Sequence, residues 1–137
     1  MFVLDSNTIS YYFRNESCVV QQLQAIAPSN IAVPAIVVYE LKYGLLRLPP
    51  EACKPRMQAL EKFLRFMTVL PFDESAAGYA ARIRSDLEQK GTPIGTHDVL
   101  IAATTLAVQG ILVTRNVREF SRVNGLNWVN WHDDSGQ

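Results

Sequence analysis

Ile111-Leu112-Val113-Thr114 is the clearest β-strand in the chain, and its flanks decide the fold. A short apolar, β-branched run bounded by turn residues reads as a buried strand. Before it, the stretch from Thr96 to Gly110 is helical in character, with Thr96 as its cap. After it, Asn116 opens one more helical turn, and Trp128-Val129-Asn130 can form an edge strand. The same alternation runs upstream. Phe2-Val3-Leu4 is a strand that stops at Asp5-Ser6-Asn7, and helices fit Thr8–Phe13 and Ser17–Ala27, the second capped by Ser17 and stopped by Pro28. Ile31-Ala32-Val33 is the next strand. Pro34 suits the first helical position, and that helix runs to Leu48, where Pro49-Pro50 ends it. A further helix continues to about Phe66, with Pro55 placed in its first turn. Thr68-Val69-Leu70 is a third strand, and Asp73 or Glu74 starts a helix to Lys90 closed by Gly91. This pattern predicts an α/β fold: a three-layer α/β/α domain with a mainly parallel sheet of four to five short strands. With no repeat or linker, residues 1–132 are expected to form a single domain and residues 133–137 a polar C-terminal tail.

The composition limits the possible functions. Of 137 residues, 48% are hydrophobic and 19% charged, enough apolar material for a core and too little charge for a disordered polyelectrolyte. Thirteen Lys and Arg balance thirteen Asp and Glu, so a protein that coats nucleic acid through net positive charge is excluded. Cys18 and Cys53 have neither zinc spacing nor the density of a disulfide framework. The N-terminus lacks the basic and apolar regions of a signal peptide, and no apolar run reaches the roughly 18 residues of a membrane span. A cytoplasmic location, no membrane association and two filler thiols are the expectation.

In a doubly wound sheet, ligands bind beyond the carboxyl ends of the strands. Asp5 directly follows the first strand, Asp98 lies in the first turn of the helix begun by Thr96, and Glu119 lies in the first turn after the fourth strand. Glu40 sits mid-helix, flanked one turn away by Ile36, Val37, Tyr43 and Gly44. That is a face a helix usually buries, while Gly44 leaves space beside the carboxylate. Each acid also has a purely structural reading. Asp5 can cap a helix, Asp98 can answer a helix dipole, Asn116 and Glu119 have capping-box spacing, and Glu40 can pair with a buried arginine. Together the four acids argue for a hard cation, because clustered carboxylates repel and Mg²⁺ or Mn²⁺ relieves the repulsion through oxygen ligands. Ser6 and Thr114 can add hydroxyl contacts at the strand ends, or act as ordinary caps.

Val3-Leu4-Asp5-Ser6-Asn7, Val38-Tyr39-Glu40-Leu41-Lys42-Tyr43-Gly44, Pro93-Ile94-Gly95-Thr96-His97-Asp98 through Ala103, and Leu112-Val113-Thr114-Arg115-Asn116-Val117-Arg118-Glu119-Phe120 resemble, in order, the motifs of the PIN-domain toxins of bacterial VapBC toxin–antitoxin systems. Within the family the chain looks most like the branch that cleaves initiator tRNA in the anticodon loop. The resemblance implies an Mg²⁺-dependent endoribonuclease toxin, with Mn²⁺ as a substitute ion. Asp5, Glu40 and Asp98 match the family's metal-holding and catalytic acids. Many members carry an acid where this chain has Asn116, so Glu119 is taken as the fourth catalytic acid. His97 also departs from the usual small polar residue, and as a first-turn residue it is placed on the rim. The implied reaction is attack of a metal-activated water on the phosphodiester, leaving a 5′-phosphate and a 3′-hydroxyl.

An acidic site needs cations to hold RNA. Arg115, Arg118 and Arg122 cluster around the fourth-strand loop, with Ser6, Thr114 and Asn116 beside them, while Arg82, Arg84 and Lys90 lie on the helix before Asp98. The family resemblance implies a VapB-type antitoxin that folds onto the toxin, and a homodimer. Leu45, Leu46 and Leu48, with Phe63 and Phe66, can line the antitoxin groove or belong to the core. The competing function is a non-cutting PIN module that binds nucleic acid with its partner. A receiver-like phosphoacceptor domain would need paired acids after the first strand and a late lysine. The chain has Asp5 alone, and no lysine follows Lys90.

Overall fold

In the computed structural model, which describes residues 1–132, the strands are β1 (Phe2–Leu4), β2 (Ile31–Pro34), β3 (Thr68–Leu70), β4 (Ile111–Val113) and β5 (Asn127–Val129). The helices are α1 (Ser6–Phe13), α2 (Ser17–Gln24), α3 (Ala35–Leu46), α4 (Pro50–Arg65), α5 (Glu74–Gln89), α6 (Thr96–Ala107) and α7 (Val117–Phe120), with a 3₁₀ turn at Pro28–Asn30. The expected tail at 133–137 lies outside the described residues. All five strands pair in parallel, in the order β3-β2-β1-β4-β5. Val3, Leu4, Ala32, Val33, Leu112 and Val113 are almost completely buried, as expected for central strands covered by helices on both faces. Among the described residues no helix is long and apolar enough to cross a membrane.

The strand order fixes where a site can form. From β1 the chain moves outward to β2 and then β3. It then returns across the sheet to place β4 on the other side of β1. Right-handed crossovers in opposite directions put their helices on opposite faces, so a crevice opens between the carboxyl ends of β1 and β4. The N-termini of α1, α3, α6 and α7 lie along this same edge, because each helix runs back against its strands.

Several boundaries differ from the sequence expectation for identifiable reasons. Helix α2 stops at Gln24 instead of Ala27, because Ala27 precedes Pro28 and is held in extended conformation at φ −60°, ψ 135°. Its cap position is Glu16, with Ser17 the first helical residue. Pro34 closes β2 and stands at the cap of α3, one position earlier than expected, and α3 ends at Leu46. Helix α4 runs through Pro55 in its second turn, where an exposed face lets water reach the carbonyl that proline leaves without an N–H partner. Gly95, not Thr96, caps α6, and the Asp98 carboxylate lies over that first turn in place of a hydroxyl cap. The edge strand β5 begins at Asn127, one residue early.

Gly110 does not end α6 in the way expected. The helix stops at Ala107, and Gln109 takes the left-handed conformation at φ 54°. Gly110 is needed for close approach: a Cβ there would lie 2.8 Å from Val3 Cγ2 and 3.1 Å from the Met1 carbonyl oxygen, beside the Ile111 N–H to Met1 O bond that starts the β1–β4 ladder. Val3 is β-branched and completely buried, so it cannot yield easily. Gly110→Ala should therefore cost about 1–3 kcal/mol by overpacking, read as a melting temperature lower by about 5–10 °C. An unchanged melting temperature would show that β1 and β4 can separate without penalty.

Candidate active site

Asp5 leaves β1 at its carboxyl end and caps α1. Its Oδ1 accepts from the Thr8 backbone N–H at 2.8 Å, while the Thr8 hydroxyl donates to the Val113 carbonyl at 3.0 Å. The capping role foreseen for Asp5 is thus real, and it fixes the carboxylate at the β1–β4 crevice with only 5% of the residue exposed. Burial raises its pKa above the ordinary carboxylate value; hydrogen bonds from Thr114 and Thr8 oppose the rise, and nearby Glu40 adds to it.

Asp98, in the first turn of α6, is half-buried and its pKa is pushed up to about 6. Burial is the largest cause, followed by the negative charges of Glu119, Glu40 and Asp5, with His97 opposing. All four acids expected at the site therefore stand close enough for their charges to interact, although they come from four separate segments. Asn116 Nδ2 donates to Asp98 Oδ2 at 3.5 Å, so the Asn116 amide supports Asp98. The capping box expected of Asn116 and Glu119 does not form: Asn116 caps α7 without a side-chain bond.

The alternative structural reading of Glu40, a buried pair with an arginine, does not form among the described residues. His97 Nδ1 lies 2.8 Å from Glu40 Oε2, while Glu40 Oε1 is buried with no hydrogen-bond partner. The α3 face around it is also more open than expected. Val37 is fully buried, but Tyr39 and Tyr43 are more than half exposed, and a Cβ on Gly44 would meet nothing within 4 Å. His97 stands exposed in the first turn of α6, as the rim reading has it, and from there it also bonds Glu40. Its place in the sequence, directly before Asp98 at a helix N-terminus, was the available signal.

The hydroxyls and cations divide. The Thr114 side chain is buried, and its Oγ1 accepts from the Asn116 N–H at 2.9 Å, which tightens the turn out of β4. Ser6 is half-buried at the start of α1. Arg115 and Arg118 are exposed on the turn and helix that follow β4. Arg122 is tied to the Pro93 carbonyl at 3.2 Å and joins the end of α7 to the entry of α6. The second basic run does not face the site as free charge. Arg84 pairs with Glu88 at 3.0 Å and Lys90 with Asp86 at 3.2 Å, one turn away on α5, while Arg82 lies over the Tyr79 ring. The apolar groove residues split too: Leu46 and Phe66 are 68% and 65% exposed, whereas Leu45 and Phe63 pack on the core and Leu48 is half-buried.

Among the described residues no three Asp, Glu, His or Cys side chains are already drawn together as a ligand set. The chemistry of the site nevertheless fits a hard divalent cation. Four mutually repelling carboxylates and one buried carboxylate oxygen without a donor are the features such an ion satisfies. Mg²⁺ keeps several of its waters and needs only one or two direct carboxylates, so a tight three-ligand cage is not required.

Comparison with known proteins adds an independent line. A family profile described as "PIN domain" matches residues 2–126. The tRNA(fMet)-specific endonuclease VapC of Salmonella typhimurium is 32% identical over 131 residues, covering 95% of this chain and 97% of that protein. Ribonuclease VapC2 of Rickettsia felis is 32% identical over 133 residues, 96% of this chain and 98% of that one. The chain is also similar to the solved structure of VapBC2 from Rickettsia felis bound to a promoter DNA fragment, with TM-score 0.87, 31% identity and coverage of 95% and 98%. The corresponding values for FitAcB from Neisseria gonorrhoeae are 0.89, 30%, 96% and 98%.

Proposed function

The chain belongs to the PIN-domain family, in its VapC group, and from that premise we propose that it is a divalent-metal-dependent endoribonuclease that cuts tRNA in the anticodon loop and is held in check by a VapB-type antitoxin. The observation that carries the reading is the set of four interacting carboxylates at the β1–β4 crevice, with Asp98 raised to about 6 and Glu40 Oε1 without a donor. The names of the relatives support RNA as the substrate, and the name of the Salmonella relative supports initiator tRNA.

Asp5 and Asp98, with Glu40, are the oxygens that would hold Mg²⁺ or Mn²⁺. When bound, the ion supplies positive charge against the charge developing on the phosphate and makes a water easier to deprotonate. The chain's residues provide the positioning. Asp5 is fixed by its cap on α1 and Asp98 by Asn116, so neither carboxylate has to be reorganised during the reaction. Glu40 is oriented by His97 and presents Oε1 to the attacking water. Glu119 keeps the local potential negative next to Asp98, which strengthens cation binding. Arg115 and Arg118 draw the phosphodiester toward this acidic centre, and Ser6 and Thr114 offer hydroxyls beside it. Exposed Leu46 and Phe66 are apolar contacts for the antitoxin, and the site sits in a homodimer.

Purified chain incubated with an initiator-tRNA anticodon hairpin should cut it in Mg²⁺, leave a 5′-phosphate and a 3′-hydroxyl, and stop when EDTA is added. Cleavage that continues in EDTA would remove the metal from the mechanism. A hairpin that is bound but left intact in both Mg²⁺ and Mn²⁺ would mark a non-cutting module.

A further inference from the structure

The Arg115 side chain lies against Tyr11 and His132. Its Nη1 lies 3.4 Å from the Tyr11 hydroxyl and 3.5 Å from His132 Nε2, and its guanidinium stands 5.6 Å from the Tyr11 ring centre. Arg14, just past the end of α1, stands 5.5 Å from the centre of the same ring. His132 packs on Tyr11 with ring centres 4.6 Å apart. Three segments distant in sequence thus gather two guanidiniums and an imidazole around one tyrosine. Among the described residues neither arginine has a carboxylate within ion-pair distance, and the nearest acid is Glu16, 3.8 Å from His132 Nε2.

Arg14 and Arg115 both stand against the Tyr11 ring, and the positive charge gathered there is relieved when an anion lies beside it. The ring orders both guanidiniums in advance, which reduces the entropy lost when they bind. Their hydrogen-bond donors stay largely unspent, the arrangement used for bidentate recognition of phosphate. The cluster is continuous with the site: Arg115 lies between Thr114, buried at the end of β4, and Asn116, which contacts Asp98. Arg14 lies at the opposite end of α1 from Asp5, about 13–14 Å along the helix axis.

We propose that Tyr11, Arg14, Arg115 and His132 form a second phosphate-binding subsite, which grips the RNA backbone at a phosphate other than the one being cut. This rests on the ribonuclease reading above and extends it. The subsite sets where along the strand the scissile bond falls, because α1 rigidly links it to Asp5. Charge complementarity selects the occupant: the chain has no net charge, and this is a local concentration of cation beside a site that handles phosphodiesters.

The test measures binding and cutting separately. In an Asp98→Asn background that binds without cutting, affinity for the hairpin is followed by fluorescence anisotropy across a potassium chloride series. Arg14→Gln should weaken binding about tenfold at low salt and reduce the slope of log affinity against log salt by about 0.7–0.9, the loss of one phosphate contact. Arg14→Lys, which keeps the charge, should retain the slope. Arg14 is exposed, with the Tyr11 ring beside it, and a thermal melt of each variant checks that it folds like the Asp98→Asn chain. An unchanged slope for Arg14→Gln, where the chain with Asp98 intact cuts RNA, overturns the subsite and leaves the nuclease reading standing. A chain that neither cuts nor binds RNA overturns both. Deleting residues 133–137 guards against a different occupant. If the Arg14 effect disappears on deletion, Asp133 and Asp134 were the partners of the cluster and the proposal fails; if it persists, the RNA phosphate is the partner.

Discussion

Asp5→Asn should cut RNA at about one-thousandth of the unaltered rate or less, while folding at least as stably. The replacement is isosteric, and its amide oxygen can still accept from the Thr8 N–H that Asp5 caps at 2.8 Å. The negative charge is what disappears. Burial raises the Asp5 pKa and Glu40 adds to the rise, so at neutral pH the ionised side chain costs the fold stability that an uncharged amide does not. Loss of activity accompanied by an equal or higher melting temperature would mark Asp5 as a residue kept for chemistry at the expense of stability. The measurement is the single-turnover cleavage rate in saturating Mg²⁺ beside a thermal melt at the same pH. Undiminished cutting would reduce Asp5 to a helix cap. A fall in both rate and melting temperature would make the cap its main contribution. Glu40→Gln should lose less, about a hundredfold, because His97 can still hold one atom of the side chain while the orphaned oxygen is replaced or turned away.

The fold was legible in the sequence because its three inner strands are short, apolar runs, as at Leu112-Val113 and Val33-Pro34, separated by helices with clear stops. The parallel sheet follows from that alternation almost without further information. Asp5, Asp98 and Glu119 could be located because the rule for doubly wound sheets says which strand ends to inspect. The missed features depend on three-dimensional contact. Gly110 looked like a helix stop because a helix-ending glycine and a close-approach glycine have the same local signature, and only the position of Val3 separates them. Glu40 was read as a functional acid, with a buried arginine pair as its structural alternative; its actual partner, His97, 57 positions away, is reached through packing between α3 and α6 that no local pattern encodes. Arg82, Arg84 and Lys90 resembled a substrate-facing stripe. The neutralisation of Arg84 by Glu88 and of Lys90 by Asp86 could have been read from the one-turn spacing alone. Tyr11, Arg14 and His132 carried no signal individually, since a surface tyrosine or arginine acquires meaning only when its neighbours come from elsewhere in the chain.

The Asp98 carboxyl makes the stability of the chain depend on pH in a direction opposite to ordinary acid denaturation. Its pKa stands at about 6 in the folded protein against 3.8 for the free side chain. Between those values the folded chain retains a proton that the unfolded chain has released, so stability decreases as pH rises through this window. The contribution is complete below 3.8 and gone above about 6. Asp98 is half-buried, and solvent screening reduces the effect to about 1 kcal/mol, a melting-temperature difference of about 3–5 °C. Other carboxylates titrate in the same range, so the comparison that isolates Asp98 is the difference between the unaltered chain and Asp98→Asn at each pH. That difference should grow from near zero at pH 4 to its full value by pH 7, with the asparagine chain the more stable. A divalent cation and the proton compete for the same oxygens. Mg²⁺ should therefore raise the melting temperature of the unaltered chain at pH 7.5, raise it much less at pH 5, and barely affect Asp98→Asn at either pH. Equal pH profiles for the two chains would mean that neither burial nor the charges of Glu119, Glu40 and Asp5 raise Asp98. An equal Mg²⁺ shift in both would place the ion elsewhere. If both contrasts appear, the repulsion among these four carboxylates is what the cation relieves, and the charge that weakens the fold is the same charge that binds the ion.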